Sequence, residues 1–399
     1  MSVPDATFDT VLDDRSLNRA LLARQHLLQR TSDDVPTVVE HLVGLQAQNP
    51  WSPFLGLWSR VDGFTTADLD AALTDRTLLR MAVMRSTVHL VTARDAPVLG
   101  ALAVPVMARE LRGNSRRRGA LDVVDLDRLV ERAAAYVRAE PRRTTDLGAH
   151  LAQEWPAAHP QDLSAFARAL LPMVQVTPRG LWRQSAATTW TTLDAWVPDA
   201  VAAAEDLTAA DVRARALEDV VLRYLGAFGP ASVADVQAWS GLTGLRDVLA
   251  GLRDRLVVLP AVPARAGGRT RELLDLPDAP RPDGDVPAPV RLLADYDNLW
   301  LAHAQRTRVI DDEHRLRLRT PNGRLPAAVL VDGRVRATWA MTRESAGPGR
   351  AGRRVTATLT VTPLDPLPAA RRREVLEAAE PAVRFLADDA DAHVVRYAD

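Results

Sequence analysis

The 399-residue chain contains neither cysteine nor lysine. Without cysteine there is no disulfide, thiolate zinc site or iron–sulfur cluster, which fits a reducing compartment. Without lysine, all 50 basic residues are arginine, and no side-chain amine is available for a Schiff base. Lysine-dependent lyase, aldolase and pyridoxal chemistry is therefore excluded, short of the N-terminal amine. No apolar run is long enough for a transmembrane helix. Met1 to Asp14 is acidic and lacks the basic and apolar regions of a secretory signal. A cytoplasmic protein without a membrane partner is expected. The eight histidines show no His-Glu-x-x-His or comparable spacing, and no Gly-rich phosphate loop occurs. Neither a metal nor a cofactor is expected.

The hydrophobic fraction is 47%, enough for the cores of two to four domains. The net charge of −1 argues neither for nor against nucleic acid, but its distribution is uneven. Residues 76–120 hold nine arginines and two acids; residues 291–373 hold sixteen and eight. Arginine suits bidentate phosphate contact. Two basic blocks in a near-neutral chain fit a footprint on DNA, and they fit solvated faces equally well. Within the first block, Arg112, Arg116, Arg117 and Arg118 form a loop cluster around Gly113-Asn114 and Gly119.

Helical periodicity dominates the first 260 residues. Leu17 to Gln29 reads as a helix capped by Ser16, Pro36 to Gln48 as a second, and Thr66 opens a third. The period then changes to two. Leu78 to Met84 and Thr87 to Thr92 read as strands around Arg85-Ser86. Three helices and a hairpin predict a winged helix–turn–helix. Leu126 to Val137, Thr145 to Gln153 and Leu163 to Val174 begin a second unit. Ala209 to Leu225, a helix capped by Ser232, Leu245 to Leu252 and strands at Leu256 to Pro260 and Arg271 to Leu276 form a third, with Gly267-Gly268 at its wing tip. A Pro- and Asp-rich linker follows at 277–289. Beyond it, strands at Leu292-Leu293, Ala327 to Val331, Val335 to Thr342 and Val355 to Val361 precede a helix over Ala369 to Ala387. The fold class is α+β: three winged helices in tandem and a small C-terminal β-barrel or sheet closed by a helix. The expected boundaries are 1–120, 121–204, 205–283 and 284–399.

The most informative stretch is Gly44-Leu45-Gln46-Ala47-Gln48-Asn49-Pro50. The second helix has apolar residues at Val35, Val38, Val39, Leu42 and Val43, and Gln46 continues that stripe. A buried amide must find partners or cost roughly 1–3 kcal/mol. Either Gln46 holds structure together or it faces a site. On a helix, Gln46 and Gln48 would point about 200° apart, so one site could use both only if the last turn is unwound.

Four collinear blocks extend the signal: Gly44 to Pro53, Met84-Arg-Ser-Thr-Val-His-Leu-Val91, Tyr224-Leu-Gly-Ala-Phe-Gly-Pro230, and Leu293-Ala-Asp-Tyr-Asp-Asn-Leu-Trp-Leu-Ala-His-Ala-Gln-Arg-Thr-Arg-Val309. Together they resemble the AlkZ/YcaQ-like tandem winged-helix DNA glycosylases over essentially the whole chain. The resemblance implies a C-shaped clamp on double-stranded DNA. It implies monofunctional excision of alkylated purines, including bulky adducts and interstrand crosslinks, in DNA repair or toxin self-resistance. The family's catalytic Gln-apolar-Gln/Asp motif falls on Gln46 and Gln48, the form of the AlkZ-like branch. Gln305 departs from the Asp expected in most relatives.

The chemistry is compatible with two amides. An N7- or N3-alkylated purine is already a cationic leaving group and has little need of a strong general acid. A glutamine carbonyl can hold the attacking water, contributing position rather than proton transfer. Asn49, Trp51 and His303 are lesion-proximal candidates; Arg85, Arg112, Arg116, Arg117, Arg118, Arg306 and Arg308 are candidate DNA contacts. Packing is an equal or better reading for Trp51 and His89. Asp295 and Asp297 lack a third metal ligand and read as structural. A monomer is expected. The alternative function is a non-catalytic winged-helix DNA-binding regulator, which tandem winged helices alone support equally.

Overall fold

Asp13 opens the first helix by accepting from the backbone N–H of Ser16, so the cap is Asp13 rather than Ser16. In the computed structural model, which describes residues 11–263, 270–320, 323–346 and 354–398, the first region contains α1 (Asp14–Arg24), α2 (Val35–His41), β1 (Leu45–Gln46), α3 (Ser52–Trp58), α4 (Thr66–Thr74), β2 (Leu78–Ala82), β3 (Val88–Thr92) and α5 (Ala96–Gly113). Two of these helices escape the sequence pattern. Helix α3 starts at Ser52-Pro53, where proline is preorganised for a first turn. Helix α5 carries an internal proline, Pro105, and is apolar around much of its circumference, which hides its period.

The middle of the chain follows expectation more closely. It comprises α6 (Arg118–Leu121), α7 (Leu126–Ala139), β4 (Arg142–Arg143), α8 (Thr144–Ala152), α9 (Pro160–Leu170), β5 (Met173–Gln175), β6 (Thr189–Thr192), α10 (Leu193–Trp196) and α11 (Pro198–Ala202). Then come α12 (Ala210–Phe228), α13 (Val233–Ser240), α14 (Leu245–Gly251), β7 (Val257–Ala261) and β8 (Arg271–Asp275). Ser232 caps α13 in a reciprocal box with Asp235, as its sequence suggests. The expected tip at Gly267-Gly268 lies outside the described residues. The first two hairpins are not separate wings. They join in one six-stranded sheet of order β1-β3-β2-β5-β6-β4, through antiparallel pairing of Met81 with Val174.

The C-terminal region comprises β9 (Arg291–Leu293), α15 (Asn298–Leu301), α16 (Asp312–Arg317), β10 (Ala328–Val331), β11 (Arg334–Ala346), β12 (Arg354–Pro363), α17 (Ala369–Leu386) and β13 (Ala392–Tyr397). Among the described residues these strands form an open sheet of order β13-β12-β11-β10-β9, not a closed barrel. The unpredicted β13 runs parallel to β12, and α17 buries Val375, Ala379 and Val383 against the sheet. One core cluster includes Leu21, Met81, Tyr224, Trp300 and Leu330, so residues from distant parts of the chain share an interior.

Buried ion pairs pin these parts together. Arg24 meets Asp275 at 2.7 Å and Arg60 meets Asp297 at 2.8 Å, with all four side chains almost fully buried. The two carboxylates near the start of the fourth sequence block are held by protein partners. Asp297 pairs with Arg60, and Asp295 accepts from Asn49 and Ser52.

Candidate active site

Helix α2 stops well before the two glutamines. Val43 (φ 52°) and Gly44 (φ 95°) both take left-handed backbone conformations, and a Cβ on Gly44 would lie 3.0 Å from the Leu90 carbonyl oxygen. Glycine is required there, and it turns the chain into an extended path. Leu45 and Gln46 pair antiparallel with Leu90 and His89, and the Ala47 N–H donates to the Val88 carbonyl at 2.8 Å. The expected helix through Gln48 is corrected accordingly; Gly44 is a stop signal that outweighs the apolar stripe.

The separation of about 200° on a helix therefore does not apply. In extended backbone, residues two apart share a face; the strand itself ends at Gln46 and Gln48 lies in the bend that follows. Leu45 and Ala47 enter the core. Gln46 is buried and Gln48 exposed. The Gln46 Oε1 accepts from Arg85 Nη2 at 3.0 Å, and the Gln48 Oε1 accepts from the Val88 N–H at 3.2 Å. Both partners are donors, so each amide's orientation is fixed. Each carbonyl keeps one lone pair, and each NH2 remains available to a ligand.

Residues far apart in sequence hold this segment. Asn298 donates to the Gly44 carbonyl at 2.8 Å and accepts from the Gln46 N–H at 3.2 Å. The buried Arg80 donates to the Ala47 carbonyl at 2.8 Å. Gly180, at φ 101°, makes room for Arg80: a Cβ there would lie 2.7 Å from Arg80 Cδ. Burial, reinforced by Arg179, lowers the Arg80 pKa to about 10. Arg85 also donates to the Trp239 carbonyl, and burial plus Arg306 lowers its pKa to about 10. Arg85 is thus committed to the protein rather than free for phosphate. His89 Nδ1 lies 2.9 Å from the Thr87 carbonyl, so it carries the proton. Burial, then Arg85, lowers the His89 pKa to about 3 and keeps the ring neutral.

Two cavities flank the segment. Gln48 opens into one of about 370 Å³, with Ser86, Val88, Glu110, Arg117 and Arg168. Asn49 and Trp51 line the other, about 770 Å³, with Leu55, Asp295, Trp339 and Met341. The larger is the more apolar, but neither glutamine lines it. Asn49 donates to Asp295 at 3.2 Å. Trp51 is 41% exposed, and its ring centre lies 5.4 Å from that of Trp182.

The remaining candidates divide. Arg112, Arg116 and Arg118 are exposed. They sit on the last turn of α5, a short 3₁₀ turn and the start of α6, rather than on a loop. Arg117 pairs with Asp162 at 3.2 Å. Arg306 is half-buried and donates to the His303 carbonyl. Arg308 is buried and donates to the Pro230 carbonyl at 2.9 Å, so it cannot share an outward face with Arg306. His303 is buried too, with Nε2 2.9 Å from the Phe228 carbonyl. These two candidates hold the end of α12 instead of facing a ligand. The irregular backbone over 302–311 breaks the alternation that would have aligned them.

Sequence reasoning missed Arg80 and Asn298, which hold the segment, and Glu110, which lines the cavity beside Gln48. Arg80 leaves one signal, a charge inside an apolar strand. Asn298 lies in the fourth block but gives no hint of its partner 252 residues away.

Residues 39–385 match the profile of a family described as DNA glycosylase AlkZ-like. A comparison with curated proteins finds no match. Among solved structures the fold is similar to that of Streptomyces sahachiroi DNA glycosylase AlkZ. The TM-score is 0.73, with 19% identity over 98% of this chain and 100% of that one.

Proposed function

The chain belongs to the AlkZ-like DNA glycosylase family, and from that premise we propose that it hydrolyses the C1′–N9 bond of cationic alkylpurines, N7-alkylguanine above all, in duplex DNA. The observation that carries this reading is the Gln46-Ala47-Gln48 segment at the end of β1, with both amide oxygens held by donors and Gln48 open to a cavity. A base made cationic by alkylation leaves as a neutral purine, so the protein must chiefly place water and tolerate positive charge on the sugar. Gln48 uses its remaining lone pair to orient the water, and the Gln46 amide steadies the sugar or the water. Arg85 fixes Gln46 and does not itself bind DNA. Arg112, Arg116 and Arg118 are the phosphate contacts, and Asn49 and Trp51 border the lesion.

The same reading takes the three helix-and-hairpin units and the C-terminal sheet as a monomeric clamp divided at 120, 204 and 283, working in the cytoplasm. It extends to bulky adducts and crosslinks. An excision assay on a duplex containing N7-methylguanine tests it: the wild type should release the base, and the Gln46→Ala/Gln48→Ala double variant should not. With no lysine in the chain, the product should be an intact abasic site. Strand nicking by the purified protein, or an adduct trapped by borohydride, would contradict the monofunctional assignment.

A further inference from the structure

The cavity beside Gln48 contains a carboxylate that the two-glutamine motif does not explain. Glu110 stands on α5, one turn before the helix ends at Gly113; it is exposed at the cavity's rim and, among the described residues, is the one acid lining that cavity. Among the described residues it has no hydrogen-bond or ion-pair partner. Its neighbours are basic. Arg112 follows on the same helix, Arg117 and Arg168 line the same space, and Arg117 is already paired with Asp162. An unpaired carboxylate here opposes attraction to phosphate, so it weakens DNA binding unless it serves another purpose.

The reaction supplies that purpose. Both glutamine carbonyls already accept a hydrogen bond from the protein, and an amide does not take a proton from water. The segment is also backed by two guanidinium groups, Arg80 and Arg85, which disfavour positive charge on the sugar. The site therefore needs an uncommitted acceptor bearing negative charge. We propose that Glu110 is a further catalytic residue, the general base and counter-charge of the hydrolysis; this rests on the glycosylase reading above. The water oxygen bonds to C1′ as the C1′–N9 bond breaks, and the electron pair of that bond passes to the purine, which leaves neutral. The proton released by the water goes to the Glu110 carboxylate, while Gln48 holds the water's orientation.

The test is single-turnover release of N7-methylguanine by wild type, Glu110→Gln and Glu110→Asp, with binding to an unmodified duplex measured alongside. Glu110→Gln should slow release roughly 100-fold while binding duplex as tightly as wild type or more tightly. Glu110→Asp should recover part of the rate. Release by Glu110→Gln at the wild-type rate overturns the role of Glu110 alone. A wild type inactive on N7-methylguanine and on a bulky N7 adduct overturns the substrate reading instead.

Discussion

Gln46 and Gln48 share a motif but not an environment, and their variants should separate accordingly. Gln48 is exposed and makes one bond, to the Val88 N–H. Gln48→Ala should lower excision roughly 100-fold, the scale expected when a positioning group is removed, with an unchanged melting temperature and unchanged duplex affinity. Gln46 is buried against Arg85. Gln46→Ala removes one acceptor of that buried guanidinium, which keeps the Trp239 carbonyl, and should cost about 1–3 kcal/mol of stability in addition to activity, measurable by urea denaturation. Equal stability of the two variants would contradict this division. The pair stands out in the sequence through the motif it shares with the resembled family, not through the apolar stripe, because α2 ends at His41 and Gln46 lies in β1. Its orientation was not legible. That depends on left-handed Val43 and Gly44 and on the hydrogen bonds of Asn298, and tertiary contacts of this kind leave no local pattern.

At the scale of elements, the turn from α2 into β1 is the point of leverage. Gly44→Ala puts a Cβ 3.0 Å from both the Leu90 carbonyl oxygen and Val91 Cγ1 in a left-handed conformation. The conformational penalty alone is about 1–2 kcal/mol. Relief of that crowding should move β1 off β3 and carry both glutamines with it. Loss of excision with most of the stability retained is the expected result; full activity would show that the register tolerates the shift. Elsewhere the elements were legible where one face was polar, as in α7, α12 and the capped α13. Helix α5 was not, because Pro105 and an extensive apolar surface erase its period. That omission concealed Glu110, the carboxylate that lines the cavity beside the motif. The arginine blocks are a mixed signal for a related reason. Composition counts charge but not its partners, and within those blocks Arg80, Arg85 and Arg308 are committed inside the protein, while Arg112, Arg116 and Arg118 are exposed.

For the molecule as a whole, electrostatics should show itself separately in binding, stability and catalysis. Replacing the exposed Arg112, Arg116 and Arg118 with alanine should weaken duplex binding and flatten its dependence on salt. The logarithmic slope should fall by about 0.9 for each phosphate that is no longer neutralised; an unchanged slope would place the phosphates elsewhere. Stability has a different pH signature. His26 is held neutral, with its pKa lowered from 6.5 to about 4 by burial first and then by His41 and Arg60. Below pH 6.5 the unfolded chain takes up a proton that folded His26 refuses until about pH 4. Acidification across that window therefore favours unfolding, by at most about 1.4 kcal/mol per pH unit for this residue. His89 adds a loss of the same sign that continues toward pH 3. Asparagine tolerates the left-handed backbone at position 26 (φ 54°), so His26→Asn should reduce the acid loss of stability without new strain. It should leave the pH profile of excision untouched, because His26 lines neither cavity beside the glutamines. If His26→Asn instead shifts the excision profile, the loss of activity in acid reports partial unfolding and not chemistry at the site.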